Sequence, residues 1–298
     1  MKLLSSRIID KPEITYNLHI QNDHNYIIQG GLVAANCHTF KSDCCKGIFE
    51  KASEVKYRFG VTGSLDKSAV NKMVLRGMIG EISREKSTRD LIDEGYLSDI
   101  KIGCVILKYS KETKRLLKEV DYQHEISFLI DHEKRNRFII KLALACKGTT
   151  LLLFNHVAHG EKLYEDIKSK ATTQECHLVC GKVEADERES IRRMVQESKG
   201  DSIILGSVGT MAVGINLPSI NNIIFAHPTK SVIRLIQSLG RGLRKSEGKT
   251  HLNLYDIVDA ISTNKTSPNF VYRHFIERLR IYTEEKHNYK LMEVQLEE

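Results

Sequence analysis

An asparagine and a cysteine are adjacent at positions 36 and 37, and an Asp-His pair lies upstream at positions 23 and 24. The side-chain nitrogen of Asn36 can attack its own backbone carbonyl, which forms a succinimide and breaks the bond to Cys37. His24, with a pKa of about 6.5 when unperturbed, suits the proton transfer that the leaving amine requires. Cys37 supplies a thiolate that can accept an acyl group, and Asp23 can control its ionisation. Taken alone, an Asn-Cys pair more often marks a turn followed by a buried thiol.

Four segments further along the chain combine strand-like runs with glycine, hydroxyl or basic residues. They are YRFGVTGSL at 57–65, LLLFNHVAHG at 151–160, SVGTMAVGINLP at 207–218 and QSLGRGLR at 237–244. The last segment places Arg241 and Arg244 on one face of a helix, because residues three apart are neighbours there. Each segment alone has an ordinary interpretation as a turn, a loop or a solvated face, and only the ordered set indicates chemistry.

The predicted secondary structure that must position these residues changes near residue 37, from short β-like runs to alternating strands and helices. Residues 1–36 alternate polar and apolar side chains in short β-like runs separated by turn residues. Beyond them, apolar strand-like runs alternate with charged segments of helical length, which predicts a parallel α/β sheet. The predicted strands lie at 151–154, 177–180, 202–205, 222–226 and 252–255, and the predicted helices at 161–171, 184–198, 231–243 and 266–298.

Composition limits the class of protein. A chain of 298 residues suggests about two globular units, and 41% hydrophobic with 28% charged residues excludes wholesale disorder. The apolar runs are too short for a membrane span, and no apolar core of a secretory signal follows Met1. Seven cysteines without a repeated spacing indicate reduced thiols and a cytoplasmic setting. The net charge of +7 permits a polyanionic partner.

Residues 1–36 resemble the C-terminal half of a split intein. The matching stretches are TYNL at 15–18, DHNY at 23–26 and GLVAANC at 31–37. The resemblance implies that Asn36 cyclises, that Cys37 is the first residue of the downstream extein, and that Asp23 and His24 assist. The residue before the terminal asparagine is often histidine in this family and is Ala35 here, so His24 must carry more of the proton transfer.

An intein also needs an opening nucleophile and a Thr/His acyl-shift motif, and the sequence contains neither. The expected source is a separate partner that carries the N-terminal half of the intein, so splicing would work in trans. The alternative is that Met1 is a mis-assigned start within a longer gene.

Nearly all of residues 37–298 resembles the superfamily 2 helicases and DNA translocases, in particular the phage UvsW-type helicases. Those enzymes unwind and anneal branched DNA in recombination, repair and replication-fork rescue. Their motif II reads Asp-Glu-Cys-His or similar, and its two acids hold Mg²⁺ and the attacking water. Here Ala35 and Asn36 precede Cys37-His38. Splicing to the expected partner, an N-terminal helicase half that carries the other intein segment after a sequence ending in Asp-Glu, would restore the motif. The two resemblances therefore meet at one peptide bond.

The helicase resemblance implies a role for each matching residue. The nucleotide site is expected to receive His38, Gly214, Asn216 and Gln237, although the family often has Asp at the position of Asn216. Coupling of hydrolysis to domain motion is expected from Thr62 and Ser64, and contact with DNA phosphate from Thr210. Arg241 and Arg244 are expected to act as arginine fingers, which contribute about 10³–10⁵ in rate in related NTPases. His156 and His159 are expected to bind phosphate or cap a helix rather than to bind metal.

The predicted fold class is α/β, with RecA-like parallel-sheet helicase domains after a small all-β intein segment. The predicted divisions are an intein segment at 1–36, the remainder of a first RecA-like domain at 37–96, a second RecA-like domain at 97–265 and a helical extension at 266–298.

The sequence lacks a Gly-rich Lys-Ser/Thr phosphate loop, so the chain alone is not expected to hydrolyse ATP. ATP and Mg²⁺ are the cofactors expected after splicing, with the Mg²⁺ ligands supplied by the partner, and single-stranded or branched DNA is the expected substrate. No resident metal is expected, since Cys176, His177 and Cys180 lack a fourth ligand at a suitable spacing. The alternative is a truncated helicase domain that serves as a non-catalytic DNA-binding or regulatory module with an inert β-segment.

Overall fold

The computed structural model describes residues 25–28, 32–36, 57–61, 69–83, 99–181, 200–212, 220–227, 251–262 and 267–296, with a few isolated positions between them. The chain divides into two compact units, Met1–Arg84 and Glu85–Glu298. Of the predicted divisions, the boundary at 96/97 stays a prediction, because residues 95–98 lie outside the described part.

The described part of the smaller unit contains a three-stranded sheet and a helix. Strands β1 (Asn25–Ile28) and β2 (Leu32–Asn36) pair antiparallel, at two of the predicted β-like runs. Strand β3 (Tyr57–Val61) pairs with β2 in parallel and sets Asn36 opposite Val61, and helix α1 (Ala69–Met78) follows. Because β2 and β3 share a sheet, the described residues do not separate an all-β segment at 1–36 from the residues after position 36.

The larger unit is built on a seven-stranded sheet in which every described pairing is parallel. The strand order across it is β10-β4-β9-β8-β5-β7-β6. The strands are β4 (Asp99–Lys108), β5 (Thr149–Phe154), β6 (Glu175–Val179), β7 (Ser202–Ser207), β8 (Ile220–Phe225), β9 (His251–Ala260) and β10 (Asn288–Gln295).

Helices connect these strands and cover the sheet. They are α2 (Lys111–Leu116), α3 (Tyr122–Asp131), α4 (Glu133–Ala145), α5 (Val157–Lys170), α6 (Val208–Ala212) and α7 (Phe270–Glu284). None of the described helices has the length and apolar character that crossing a bilayer requires.

The central strands explain why the sequence predicted a parallel sheet. All six residues of β5 and all six of β7 are buried. A strand with helices on both faces buries both faces, so its sequence is a continuous apolar run instead of an alternating one. The predicted parallel α/β sheet is confirmed, and the predicted strands 151–154 and 202–205 lie within β5 and β7.

Successive residues of β4 divide between two hydrophobic layers, because side chains alternate across a strand. Cys104 and Ile106 belong to a cluster that includes Phe275 of α7. Val105 and Leu107 belong to the opposite cluster, in which the helical members come largely from α3, α4 and α5. The core of this unit therefore consists of two layers, one on each face of the sheet.

Strand β9 carries two aspartates that are 0% exposed, one toward each layer. Asp256 accepts hydrogen bonds from Nε and Nη2 of Arg278, both at 2.8 Å, and from the hydroxyl of Tyr282 at 3.0 Å. Asp259 accepts from Nε of Arg135 at 2.9 Å. A buried carboxylate is tolerated only when it is paired and hydrogen-bonded, and each aspartate is paired with an arginine from a different helix.

Glu125 of α3 caps the N-terminus of α7 with a buried carboxylate. It accepts from the backbone nitrogens of Phe270 at 3.0 Å and Val271 at 2.8 Å, and from Nδ2 of Asn269 at 2.8 Å. Two of the four backbone N–H groups that a helix start leaves unpaired are thereby satisfied. This contact fixes α7 to the layer that contains α3.

The helix predicted at 266–298 is confirmed for α7, but the prediction was wrong for the segment Asn288–Gln295. That segment is the strand β10, which pairs in parallel with β4 along its whole length. Every residue of β10 except Val294 is exposed, so it lacks the apolar alternation that predicts a strand. Its conformation depends on the open edge of β4, whose residues lie 187 positions earlier in the chain, as in the pairing of Asn288 with Lys101.

Candidate functional site

The carboxyl ends of β5, β7 and β8 meet at one edge of the sheet, because neighbouring parallel strands end on the same side. In open α/β sheets this edge is where ligands bind. His156 follows β5, Thr210 follows β7 and His227 follows β8. Two of the residues predicted from the sequence, His156 and Thr210, therefore lie at the same edge.

His156 and His227 contact each other through their rings. The ring centroids are 5.0 Å apart and the ring planes are inclined at 73°. His156 is exposed and occupies the N-cap position of α5, but its side chain makes no capping hydrogen bond. The expectation that His156 caps a helix is therefore wrong, and the expectation that it binds phosphate stays a prediction.

His159 lies inside α5 and is 1% exposed. Its Nε2 lies 2.9 Å from Oδ1 of Asn136, and Nδ2 of Asn136 donates to the backbone carbonyl of Ile130 at 2.7 Å. This arrangement holds His159 against α4, so His159 neither caps α5 nor faces solvent. Both roles expected for it from the sequence, phosphate binding and capping, are corrected by its burial.

Burial keeps two imidazoles of this edge neutral. Removal from water, followed by the charge of Arg135, lowers the pKa of His159 to about 3 and that of His227 to about 3. Nδ1 of His159 and Nε2 of His227 are buried without a hydrogen-bond partner among the described residues. An unpaired buried nitrogen is less costly on a neutral ring than on a charged one, which agrees with the direction of both shifts.

Arg135 is the central charged group of this edge and is 1% exposed. Besides the bond from its Nε to Asp259, its Nη2 donates to Oδ2 of Asp259 at 3.1 Å and to the carbonyl of Ala226 at 2.7 Å. The hydroxyl of Tyr109 donates to Oδ1 of Asp259 at 2.7 Å, and burial raises the pKa of Tyr109 well above its usual value. Because Ala226 directly precedes His227, Arg135 fixes the chain where it leaves β8.

The turn after β7 is closed by a serine and a threonine. The backbone nitrogen of Thr210 donates to Oγ of Ser207 at 3.2 Å, and the Ser207 hydroxyl donates to Oγ1 of Thr210 at 2.7 Å. Thr210 is 7% exposed. These bonds fix the start of α6 and set the Thr210 hydroxyl at the carboxyl edge.

Close packing of a glycine brings α5 against β5. A Cβ atom built on Gly160 would lie 2.5 Å from atoms of the Phe154 ring, whereas one built on Gly209 would meet nothing within 4 Å. Gly160 therefore allows the approach that sets His156 and His159 over the end of β5.

The sequence reasoning missed Arg135, Asp259, Tyr109 and His227. The signal for Asp259 was present, since two acids interrupt the apolar run NLYDIVDA at 253–260, and acids in a buried strand require a cationic partner. No local pattern marks Arg135, which lies 124 residues from Asp259 in the chain.

Most of the other predicted site residues lie outside the described part of the chain. They are Asp23, His24, Cys37, His38, Thr62, Ser64, Gly214, Asn216, Gln237, Arg241 and Arg244. Asn36 is described only as the last residue of β2. Their assigned roles stay predictions. Among the described residues, no group of three or more His, Cys, Asp or Glu side chains has an arrangement that could hold a metal ion.

Known proteins resemble this chain in sequence. The helicase conserved C-terminal domain family matches residues 134–246. The ATP-dependent DNA helicase uvsW of Enterobacteria phage T4 is 30% identical over 295 residues, covering 95% of this chain and 58% of the phage protein. The putative ATP-dependent helicase IRC3 of Saccharomyces cerevisiae is 26% identical over 224 residues, covering 73% of this chain and 32% of the yeast protein.

Solved structures resemble it in fold. The crystal structure of T4 UvsW matches with a TM-score of 0.59 and 28% identity, covering 89% of this chain and 54% of that one. A fragment of a putative HsdR subunit of a type I restriction enzyme from Vibrio vulnificus matches with a TM-score of 0.62 and 16% identity, covering 89% of this chain and 48% of that one, which shows a shared fold alone. The chain spans just over half the length of the T4 protein.

Proposed function

We propose, from the premise that this chain contains a UvsW-like superfamily 2 helicase C-terminal domain with a RecA-like fold, that it is the C-terminal part of an ATP-dependent DNA helicase. The observation that carries the proposal is the similarity to T4 UvsW, which extends along nearly the whole chain. The carboxyl edge of the sheet adds support, because His156 and Thr210 lie there together, as a strand of DNA that contacts both would require.

The roles of individual residues are part of the proposal. Thr210 and His156 contact DNA phosphates, Thr62 and Ser64 couple hydrolysis to motion, and Arg241 and Arg244 act as arginine fingers. The nucleotide site receives His38, Gly214, Asn216 and Gln237.

ATP and Mg²⁺ are the cofactors proposed for the complete helicase, and ATP would supply the phosphoanhydride bond whose hydrolysis drives movement. The buried charged pair at the centre of the carboxyl edge, Arg135 and Asp259, does not fit these groups. Arg135 is already paired with Asp259, which leaves neither the cation free for phosphate nor the carboxylate free for Mg²⁺. His159 and His227 are neutral. The proposed sources of the required charges are Arg241, Arg244 and the complementary N-terminal half.

The finger assignment is tested by Arg244→Ala in the complete helicase. DNA binding should be retained while the ATPase rate falls by about 10³–10⁵. Lys245→Ala, which removes a positive charge at the next position, is the control and should change the rate little. An unchanged ATPase rate in Arg244→Ala would remove the assignment.

We further propose that residues 1–36 act as an intein C-terminal half. The Asn36 side-chain nitrogen bonds to the Asn36 carbonyl carbon, the bond from that carbon to the nitrogen of Cys37 breaks, and the departing amine takes up a proton. Two features support this step, the set of motifs that ends at Asn36 and the restored motif II that would follow ligation to Cys37.

A second candidate is that residues 1–36 stay attached and the chain is a non-catalytic DNA-binding or regulatory module. Two observations favour it. The pairing of β2 with β3 crosses the 36/37 bond. The alignment with T4 UvsW covers 95% of the chain, which leaves about 15 residues unaligned, fewer than the 36 of the segment.

Intact mass measurement separates the two candidates. The chain is mixed with a polypeptide that ends in an intein N-terminal half after a Val/Ile-Asp-Glu segment. Splicing releases the peptide 1–36 and joins the partner to Cys37. Asn36→Ala should retain the peptide, and Asn22→Ala, an asparagine outside the matched motifs, should still release it. Recovery of only the two starting polypeptides from the wild-type mixture would refute splicing and leave the second candidate.

A further inference from the structure

A short basic segment follows β4 at the carboxyl edge of the sheet. It comprises residues 110–119, which are called the basic tip below. Lys111, Lys114 and Arg115 occupy positions i, i+3 and i+4 of α2, so they share one helix face. Lys118 adds a fourth cation, which is paired with the neighbouring Glu119 at 3.5 Å.

The basic tip is anchored at both ends. The backbone nitrogen of Thr113 donates to Oγ of Ser110 at 3.1 Å, which caps the helix, and the preceding residue, Tyr109, is bonded to the buried Asp259. Leu117 packs against the core. Glu119 has a φ of 65°, a left-handed conformation that a residue with a side chain adopts at a cost. The tip is therefore a fixed projection.

Leu116 is 81% exposed, the highest value among the large apolar side chains that the structure describes. A single exposed leucine is ordinary on a protein surface. What distinguishes Leu116 is its position directly after Arg115, on a fixed helix that carries three cations and one acid, Glu112, and whose net positive charge attracts a polyanion. DNA offers both partners at once, since its phosphates match the cations and its bases match an apolar wedge.

We propose that the basic tip binds DNA at a branch point, with Lys111, Lys114 and Arg115 on backbone phosphates and Leu116 against the outermost base pair where the strands part. This proposal rests on the proposed function in one respect, that the domain binds DNA. It adds the contact that distinguishes a branch from a uniform duplex.

The spacing of the strands relates the tip to the predicted phosphate contact at Thr210. Strand β4 is separated from β7 by β9, β8 and β5, which gives four strand spacings, or about 19 Å. At about 3.4 Å per nucleotide along one strand, this distance corresponds to roughly six nucleotides. A strand that contacts Thr210 thus reaches the branch about half a helical turn away.

The charge contribution is tested with the full chain by fluorescence anisotropy on a three-way fork at 50 and 200 mM salt. Loss of three phosphate contacts in the triple variant Lys111→Gln, Lys114→Gln, Arg115→Gln should reduce the slope of log K against log salt by about 2.7. Wild type should therefore lose about 40-fold more affinity than the variant between the two salt concentrations.

A matched control removes three exposed lysines near the opposite edge of the sheet, by Lys101→Gln, Lys147→Gln and Lys170→Gln. The same change of net charge should leave the salt slope unchanged. An equal loss of slope in both triple variants would overturn the proposal, because net charge alone would then explain the binding.

The wedge is tested with 2-aminopurine at the first paired position beside the branch. Binding of wild type should raise its fluorescence by unstacking the base. Leu116→Ser should bind linear duplex as wild type does but give at most half of that rise. Leu291→Ser, at a leucine that is 54% exposed on β10, should give the full rise. An unchanged rise in Leu116→Ser would overturn the wedge.

The outcomes separate this proposal from the proposed function. If wild type binds no DNA at 50 mM salt, DNA binding by the domain and the basic tip both fail. If wild type binds DNA while the basic-tip variants behave as wild type, the basic tip alone fails and the proposed function stands.

Discussion

The ion pair between Arg135 and Asp259 offers the sharpest test of the stability of the carboxyl edge. The substitution Arg135→Met keeps an unbranched apolar chain and removes the guanidinium, which makes three hydrogen bonds in the native structure. It leaves the Asp259 carboxylate 0% exposed, with the Tyr109 hydroxyl as its remaining described partner. The variant therefore contains a buried charge without a counter-charge.

The expected cost follows from that loss. Removing one partner of a buried ion pair costs about 3–5 kcal/mol, because the remaining charge stays desolvated. Domains are stable by about 5–15 kcal/mol, so the variant should fold but with a much reduced margin. The double variant Arg135→Met, Asp259→Leu removes both charges and should regain most of the loss, since apolar replacement of a buried pair is often neutral.

Urea unfolding followed by far-ultraviolet circular dichroism measures these changes in a double-mutant cycle. The control is Lys108→Met, which breaks the pair with Glu293 at the surface, where the two side chains are 32% and 66% exposed and 2.9 Å apart. That change should cost at most about 1 kcal/mol. If Arg135→Met costs no more than Lys108→Met, the reasoning from burial is refuted.

Three further variants test other contacts. Glu125→Gln keeps one acceptor but sets an amide against backbone N–H groups, so unfolding free energy should fall by about 1–3 kcal/mol in urea; no change would remove the cap. His159 and His227 have folded pKa values of about 3, below the unfolded value of about 6.5. The two histidines therefore contribute their full share of the unfolding free energy above about pH 6.5, and this contribution is lost as the pH falls toward 3. Between pH 7 and 5 the loss should be about 2 kcal/mol for each histidine, and His159→Gln should remove its share of that slope. Gly160→Ala should cost about 1–3 kcal/mol through overpacking, whereas Gly209→Ala should cost much less, and equal melting temperatures for the two would contradict the packing argument.

The sheet was predictable where burial is two-sided. Thr149–Phe154 and Ser202–Ser207 are continuous apolar or small-residue runs because helices cover both faces. Asn288–Gln295 was not predictable, because its position comes from pairing with Asp99–Lys108 and not from its own side chains. A local pattern of apolar residues indicates which residues are buried, so it gives little information about an edge strand whose residues are mostly exposed.

The residues of the candidate site were likewise predictable only in part. His156 and Thr210 were found from the helicase resemblance of segments that each follow a recognisable strand, and parallel strands bring their carboxyl ends together. Arg135 was missed because its significance depends on Asp259, which approaches it only in three dimensions. The Asn36–Cys37 junction was identified from its chemistry together with the resemblance of residues 1–36 to split inteins, and the strand Leu32–Asn36 that ends there is compatible with both accounts of that segment.

The two aspartates of β9 have a mechanical consequence. Arg278 of α7 is bonded to Asp256, and Arg135 of α4 is bonded to Asp259, which lies three residues further along β9. A force applied to α7 or to α4 is thus transmitted through β9 to the other helix. The transmission uses hydrogen-bonded ion pairs and does not depend on apolar contacts, which can slide past each other. If the domain works in a motor that advances along DNA, its two layers should move as one stiff body, and elastic deformation during each step should be concentrated in the connections outside this strand.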